Sequence, residues 1–344
     1  MEADEQPPDL FVETEAPHGQ PYLPELDLWL DPRRSKEFAF VSHAHSDHFA
    51  PHRLILCSSE TRKILRGRFG AKRSEFLDAP LGGFLDLNGF RLRFLSAGHI
   101  AGSAQLHVER LSDGATLVYT GDFKLRPGLS SEPTEIRPAD TVIMETTFGL
   151  PRFRMPPTEE VIASIATFSR ETLAAGEIPI FLCYSLGKAQ ELLMSLHAQA
   201  PELAFQLHPS VAKMTKLVAT LGYQFPPFTE FDPGKRSPSG HVVIRPPSMG
   251  RGKATHRLPN SRVAMVTGWA IDASARYRYR ADQAFPLSDH ADFDDLLAYV
   301  EKTSPKKVIT LHGYTREFAA VLRSRGVDAW SISGNDQIEL NLGL

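Results

Sequence analysis

The stretch Ser42-His43-Ala44-His45-Ser46-Asp47-His48 places three imidazoles and one carboxylate in seven residues, directly after an apolar run at 38–41. His and Asp side chains packed so closely cannot all remain unpaired in a protein interior. Imidazole and carboxylate together suit Zn or Mn rather than Ca or a thiolate-selected ion. A polar surface turn would explain each residue singly, but not their density after a strand. The stretch therefore predicts a metal centre at the end of a strand.

Other candidate ligands lie in turns on both sides of this stretch. Asp31 ends the preceding strand candidate, His99 lies in the turn of SAGHIAGSAQ, and Asp122 lies in the turn of YTGDFK. A single His or Asp in a glycine-bearing turn is ordinary. The order of these residues relative to HAHSDH is what makes them candidates for the same site.

HAHSDH and the landmarks after it resemble the metal-binding motifs of the metallo-β-lactamase superfamily. Three further matches resemble its β-CASP branch, the nucleases that process nucleic acids: Glu145 in METTFG, His290 in LSDHADF and His312 in TLHGYT. The segment YSLGKAQELL resembles the domain that this branch inserts into the lactamase core. TFGLPRFR, SDHADF and LHGYTREF look like the bacterial ligase-associated DNA exonucleases, so the resemblance covers nearly the whole chain.

The resemblance implies an α/β fold, a metallo-β-lactamase αββα sandwich with an inserted α/β β-CASP domain. Residues 1–155 and 282–344 would form the metallo-β-lactamase core, and residues 156–281 the insertion. The sequence pattern agrees, because short strand candidates dominate the first part and helix and strand candidates alternate after Pro157. A stretch rich in Pro, Gly and Arg from Gly234 to Pro259 is expected to be irregular.

The resemblance also implies two divalent metal ions, Zn or Mn. Their ligands would be His43, His45 and His99 for one ion, Asp47, His48 and His312 for the other, and Asp122 as a bridge. Two such ions lower the pKa of a shared water and neutralise charge on the phosphoryl oxygens.

Three residues take catalytic roles by the same resemblance. Asp47 would also accept the proton of the attacking water, and His290 would protonate the leaving oxygen or stabilise the transition state. Glu145 would orient His290 and keep it basic, while Asp31 would support the histidines from behind.

Two segments are candidates for contact with substrate phosphates. One candidate phosphate cradle comprises Ser185, Gly187 and the start of a helix at Lys188. An ordinary turn between a strand and a helix explains these residues equally well. In ARYRYR, strand alternation would place three arginines on one face and two tyrosines on the other, to pair phosphates and stack bases. The arginines are Arg276, Arg278 and Arg280. A salt-bridged interface is the alternative.

The formal net charge is −3, so any grip on a phosphate backbone requires local asymmetry of charge. Such asymmetry exists in two runs. Ten Lys or Arg occur from Lys235 to Arg280 against one acid, and six occur from Arg62 to Arg73 against none. Runs of this kind are usually solvated faces, so a role in binding is only one of two interpretations.

The compartment predicted from the sequence is the cytoplasm. No apolar run approaches the roughly 20 residues that span a bilayer, and the acidic start MEADEQPPDL has no features of an export signal. The two cysteines, Cys57 and Cys183, lie in apolar runs, which predicts buried, reduced thiols.

The sequence therefore predicts a metal-dependent nuclease that acts on DNA, single-stranded by preference, in repair. Expected partners are nucleic acid and repair proteins such as a ligase or helicase, with no membrane. The alternative is an RNA-processing nuclease of the RNase J or mRNA 3'-end type, because a histidine at the position of His312 is more usual in RNA enzymes of the branch. A catalytically silent nucleic-acid scaffold and a small-molecule hydrolase are further hypotheses. The filled ligand positions disfavour the scaffold, and Glu145 and His290 disfavour the hydrolase.

Overall fold

A computed structural model describes residues 13–15, 20–231, 240–247 and 259–332. The chain divides into two compact units, which are described separately. The first comprises Met1–Pro127, Glu132–Arg152 and Ala291–Ile338, and the second Gly128–Ser131, Phe153–His290 and Glu339–Leu344.

The first part of the first unit is built mainly of strands. Its elements are β1 Glu13–Glu15, β2 Gln20–Leu23, β3 Leu28–Leu30, β4 Phe38–Phe40, β5 Leu54–Ser58, α1 Ser59–Phe69, β6 Glu75–Ala79, β7 Phe84–Leu87, β8 Phe90–Ser96, β9 Ala104–Arg110, β10 Thr116–Tyr119 and β11 Thr141–Thr146.

The second unit alternates helices with strands. Its elements are α2 Thr158–Ala174, β12 Ile178–Leu182, α3 Lys188–Gln199, β13 Ala204–Leu207, α4 Pro209–Ala219, β14 Phe228–Glu230, β15 His241–Arg245, β16 Ser261–Val266, α5 Ala275–Arg278 and β17 Gln283–Phe285. The strands form one six-stranded sheet in the order β14-β13-β15-β12-β16-β17, and every pairing in it is parallel.

The chain then returns to the first unit. The returning elements are α6 Phe293–Thr303, β18 Lys307–Gly313, α7 Thr315–Ser324 and β19 Asp328–Ser331. Asp292 caps α6 by accepting hydrogen bonds from the N–H groups of Asp294 and Asp295.

The first unit contains two sheets that share one apolar core. One sheet has the order β1-β2-β3-β4-β5-β6 and the other β19-β18-β11-β10-β9-β8-β7. Phe40 from the first sheet and Leu106 and Tyr119 from the second belong to the cluster between them. Side chains of a strand alternate between faces, so Val118 points to the other face of the second sheet and packs in the cluster of α6 and α7. Because α1 packs against β5 and β6, the unit combines helices with two sheets, and the prediction of a mixed α/β fold is confirmed.

The predicted ligands follow strands that run in the same direction. β3 and β4 are parallel, and β10 is parallel to β11, which is parallel to β18. β8 runs in the direction of β10, because both are antiparallel to β9. The carboxyl ends of β3 and β4 therefore lie at one edge of the first sheet, and those of β8, β10, β11 and β18 lie at one edge of the second. Loops that leave such edges are where functional side chains usually gather.

The interpretation of ARYRYR as a strand is wrong. Residues 275–278 form the helix α5, in which the N–H of Tyr279 donates to the carbonyl of Ala275 at 3.0 Å. The physical reason is the spacing of the apolar contacts. Ala275 is buried and Tyr279 packs against the core of the sheet, and residues four apart share one face of a helix. Arg276, Arg278 and Arg280 are all exposed, but they do not form one face of a strand.

Part of the stretch predicted to be irregular is ordered. His241–Arg245 forms β15, whose residues Val242, Val243 and Ile244 are buried. Residues 234–239 and 248–258 of that stretch lie outside the described residues, and they include Lys235, Arg236, Arg251, Lys253 and Arg257 of the basic run.

Cys57 and Cys183 are both buried and free, as predicted. Burial raises the pKa of the Cys183 thiol to about 12, so it stays protonated at neutral pH. Among the described helices, none has the length and apolar character required to cross a bilayer.

Candidate metal centre

Three imidazoles converge in the loops after β4 and β8. His45 Nδ1 lies 3.0 Å from His43 Nε2 and 3.1 Å from His99 Nε2. Asp122 Oδ2, in the turn after β10, lies 3.7 Å from His43 Nε2 and 3.8 Å from His99 Nε2. The four candidate ligand atoms therefore surround one point.

The spacing of these atoms fits a divalent ion. A tetrahedral ion bound at about 2.1 Å has ligand atoms about 3.4 Å apart, and the observed separations of 3.0 to 3.8 Å bracket that value. Two or three neutral ring nitrogens facing one another would repel through their lone pairs. Their convergence is favourable when a cation lies between them.

The hydrogen bonds behind His43 leave its Nε2 free of a proton. Ser42 Oγ donates its single proton to Asp31, so it can only accept the hydrogen bond that joins it to His43 Nδ1 at 2.9 Å. Nδ1 of His43 therefore carries the ring proton and Nε2 presents a lone pair. Burial, with the nearby ring charges of the other histidines, holds the pKa of His43 well below its ordinary value, which favours the same neutral form.

Asp31 supports the site through four hydrogen bonds. Its carboxylate accepts from the N–H and hydroxyl of Ser42, from His48 Nδ1 at 2.9 Å and from the Tyr119 hydroxyl at 2.8 Å. Because His48 Nδ1 is fixed in this way, its Nε2 faces Asp122 Oδ2 at 3.3 Å. Burial lowers the pKa of His48, but the carboxylates of Asp122 and Asp31 have the larger combined effect. The pKa of His48 is therefore well above its ordinary value. Two carboxylates thus favour positive charge at this point.

The second predicted set of ligands is more open than the first. His48 Nε2 lies 3.8 Å from Asp47 Oδ2, and the Asp47 side chain is 58% exposed. The rings of His48 and His312 have centroids 5.8 Å apart. Burial lowers the pKa of His312 to about 4, so its imidazole is neutral at physiological pH. All seven predicted metal ligands lie in the first unit: His43, His45, Asp47, His48, His99, Asp122 and His312.

Glu145 lies at the end of β11 and is almost fully buried. Its carboxylate accepts hydrogen bonds from the Phe123 N–H at 2.9 Å and from the Thr147 hydroxyl. The carbonyl of Phe123 accepts from the Ala291 N–H at 2.6 Å. One peptide segment, adjacent to Asp122, is therefore bonded to Glu145 and to the residue that follows His290.

His290 is the last residue of the second unit before the chain returns to the first. Within that unit its N–H donates to Ser288 Oγ at 3.0 Å, and its Nε2 lies 4.0 Å from Asp289 Oδ1. The imidazole is partly exposed.

Lys188, predicted to contact a phosphate, lies in a buried ion pair. Lys188 is 2% exposed, and its ammonium donates to the carbonyl of Leu287 and to Asp289 Oδ1, each at 2.7 Å. The sequence could not show this, because the two residues are 101 positions apart. Ser185 Oγ lies 3.2 Å from Ser210 Oγ, so this part of the predicted cradle also has a protein partner.

Several residues that shape the site were not found by sequence analysis. Ser42 and Tyr119 both bind Asp31, and Arg68 Nη1 donates to the carbonyl of Ala44 at 2.7 Å. The position of Ser42 directly before the histidine motif is the one signal that points to it. Tyr119 and Arg68 become recognisable only when the strands and α1 are assembled.

Comparison with known proteins found similarity to a metallo-hydrolase family and to proteins named for DNA joining and repair. A family model described as "Zn-dependent metallo-hydrolase RNA specificity domain" matches residues 277–330. A protein of Opitutus terrae named probable DNA ligase is 49% identical over 328 residues, which cover 94% of this chain and 31% of that protein. The DNA cross-link repair protein SNM1 of Arabidopsis thaliana is 28% identical over 158 residues, covering 43% of this chain and 32% of that protein.

Two further similarities come from an archaeon and from a solved structure. An RNase J-like protein of Methanocaldococcus jannaschii is 27% identical over 187 residues, covering 48% of this chain and 44% of that protein. A crystal structure of an Enterococcus faecalis protein of unknown function has a TM-score of 0.56 at 14% identity, covering 83% of this chain and 78% of that one. This likeness concerns the fold alone. The chain spans less than half the length of each of the three named relatives.

Proposed function

Because the chain belongs to the β-CASP branch of the metallo-β-lactamase-fold nucleases, we propose that it is a two-metal DNA nuclease that acts as an exonuclease in repair. The observation that carries the proposal is the convergence of three imidazoles, in which His45 Nδ1 lies 3.0 Å from His43 Nε2 and 3.1 Å from His99 Nε2, with Asp122 beside them. We further assign the second unit to the inserted β-CASP domain, with residues 156–281 as the insertion and residues 1–155 and 282–344 as the core.

The chain's own residues would hold the ions and move the protons. His43, His45 and His99 would bind one ion, and Asp47, His48 and His312 the other, with Asp122 between them. The bound ions, Zn or Mn, would supply an activated water and neutralise charge on the phosphoryl oxygens.

Asp47 is suited to receive the proton of the attacking water. The Asp47 side chain is 58% exposed, so water can reach its carboxylate, which lies 3.8 Å from His48 Nε2. His290 would protonate the leaving oxygen, and Glu145, which is anchored by Phe123 and Thr147, would orient that imidazole. Hydrolysis in this scheme needs no covalent enzyme intermediate.

RNA is the second candidate substrate, and specific observations favour it. The matching family model is described by RNA specificity, one relative is named RNase J-like, and His312 occupies the position that the RNA enzymes of the branch fill with histidine. Similarity to proteins named DNA ligase and DNA cross-link repair protein favours DNA instead. The similarity to a ligase also makes a ligase the first partner to test.

The test is hydrolysis of matched single-stranded DNA and RNA, labelled at either end, in Mn or Zn. We expect metal-dependent release of short products from DNA, and the position of the label gives the polarity of digestion. Preferential cleavage of RNA would replace the DNA assignment with RNA processing.

The matched control is a double variant, Asp47→Ala with His48→Ala, which removes predicted ligands of one ion. We expect it to lose hydrolysis of both nucleic acids. Inactivity of the unmodified protein on both substrates, together with no bound metal in elemental analysis, would leave a catalytically silent scaffold as the better description.

A further inference from the structure

A basic surface borders the metal centre within the first unit. It comprises the cations of the last turns of α1 and of the turn after it: Lys63, Arg66, Arg68, Lys72 and Arg73. No acidic residue occurs between Glu60 and Glu75. We call this set the α1 basic surface. Its cations are exposed, except Arg68, which is partly buried.

The cations of this surface lack carboxylate partners at ion-pair distance among the described residues. None of its five cations forms an ion pair with any carboxylate in the described part of the chain, whereas Arg62 at its edge pairs with Asp78 at 3.0 Å. Exposed arginines elsewhere are commonly paired, as Arg53 is with Glu37 and Arg170 with Glu202. An unneutralised cluster creates a positive potential that attracts polyanions.

An aromatic platform accompanies the charges. Phe69, the last residue of α1, is 38% exposed, and its ring stacks on that of Phe49 with centroids 4.8 Å apart and planes within 15°. The Arg68 guanidinium lies over the Phe69 ring, 4.9 Å from its centroid. Cations beside an exposed aromatic side chain are the features with which proteins bind unpaired nucleotides.

The surface adjoins the predicted metal ligands through direct contacts. Phe49 follows His48 in the chain, and Arg68 Nη1 donates to the carbonyl of Ala44, which lies between His43 and His45. A strand held on this surface would therefore continue toward the metal centre.

We propose that the α1 basic surface binds a single-stranded segment of the nucleic-acid substrate next to the scissile phosphate. The cations pair with its phosphates, and Phe69 stacks on one base, which requires that the base be unpaired. This proposal rests on the proposed nuclease function, because it names the path of that enzyme's substrate.

The test measures binding without catalysis. The full chain, in the presence of EDTA, is titrated onto a fluorescent oligothymidylate of about 20 nucleotides, a length that exceeds one typical single-strand site. Anisotropy is recorded at several salt concentrations and compared with a blunt duplex of equal length. The variants are the pair Lys72→Gln with Arg73→Gln, and the single changes Phe69→Ala and Phe69→Leu.

The charge pair and the aromatic change have different expected effects. Neutralising two phosphate contacts lowers the slope of log affinity against log salt by roughly 1.4, at about 0.7 per contact on a single strand. Both Phe69 variants weaken single-strand binding by roughly tenfold and leave duplex binding unchanged. Phe69→Leu retains apolar packing on Phe49, so a loss in this variant reports stacking rather than unfolding.

The control pair Lys302→Gln with Arg325→Gln removes two exposed cations of the same unit, at the ends of α6 and α7, and should leave the salt slope unchanged. An equal fall in slope for both pairs, or an equal loss of duplex binding by Phe69→Ala, would overturn the proposal. The nuclease function is tested separately. If the protein binds single strands through this surface but hydrolyses none in Mn or Zn, the binding surface is supported and the nuclease function is rejected.

Discussion

At the scale of single residues, the buried ion pair of Lys188 and Asp289 gives a direct prediction for stability. Lys188→Met removes the ammonium group that pairs with the Asp289 carboxylate, whose side chain is 14% exposed. We expect the free energy of unfolding to fall by about 3–5 kcal/mol, because an uncompensated buried charge is costly. Urea denaturation measures the change.

The control for this pair is Lys216→Met, which removes an ion pair with Glu230 whose side chains are 64% and 47% exposed. That loss should be under about 1 kcal/mol. The double variant Lys188→Met with Asp289→Asn should regain part of the stability of the single one. Equal effects of Lys188→Met and Lys216→Met would show that the buried pair is not special.

Asp31 gives a second residue-scale prediction, on metal affinity. Asp31→Asn keeps the shape but removes the charge that holds His48 Nδ1 and the Ser42 hydroxyl. We expect metal affinity to fall roughly 10- to 100-fold, as for other groups that orient metal-binding histidines. Competition with a chromophoric chelator measures it. The control is Asp27→Asn, since the Asp27 carboxylate accepts a hydrogen bond from the Tyr22 hydroxyl and supports no predicted ligand, and this variant should retain metal affinity.

The residues that could be predicted are those whose chemistry is concentrated in the sequence. His43, His45 and His48 occur in one short motif, and His99, which follows a strand of the other sheet, was placed with them by the order of the motifs and lies against His45. The ion pair of Lys188 could not be predicted, because a lysine at a helix start suits a phosphate and a buried carboxylate equally well. The partner that decides between them is distant in sequence.

At the scale of elements, the turn after β10 depends on Gly121. Its φ is +54°, and a Cβ at this position would lie 2.6 Å from Ser42 Cβ. We expect Gly121→Ala to destabilise the first unit and to weaken metal binding, because the added methyl group pushes the Asp122 turn away from the histidine loop.

Gly114 provides the matched comparison in another turn of the same sheet. It also has a positive φ, of +75°, but nothing lies within 4 Å of a Cβ built there. Gly114→Ala should therefore lower the free energy of unfolding by about 1–2 kcal/mol, which is the cost of placing an alanine in the left-handed conformation. Thermal melting and metal content of both variants distinguish strain from crowding, and equal losses in both would contradict the crowding at Ser42.

The element that sequence analysis assigned wrongly is α5. The alternation of Arg and Tyr suggested a strand, yet the burial of Ala275 and the packing of Tyr279 follow the four-residue spacing of a helix. The spacing of charged residues shows only which side of an element faces solvent, whereas the spacing of apolar contacts indicates whether the element is a helix or a strand.

At the scale of the whole molecule, metal binding should raise stability. Ions that bind only the native state add about 2.7 kcal/mol at a concentration 100 times the dissociation constant. We expect Zn or Mn to raise the melting temperature of chelator-treated protein, and to raise that of Asp122→Ala much less. An equal shift in both proteins would indicate that the ions bind elsewhere.

The peptide of Phe123 has a consequence for how the chain could be re-engineered. Its N–H holds Glu145, shortly before the chain enters the second unit, and its carbonyl holds Ala291, where the chain returns. One residue beside Asp122 thus forms a hydrogen bond on each side of the segment 153–290, through the N–H of one peptide group and the carbonyl of the next. If the segment 153–290 is exchanged for that of a related protein, both hydrogen bonds of Phe123 stay within the host sequence. The new segment must then begin and end at the same two positions.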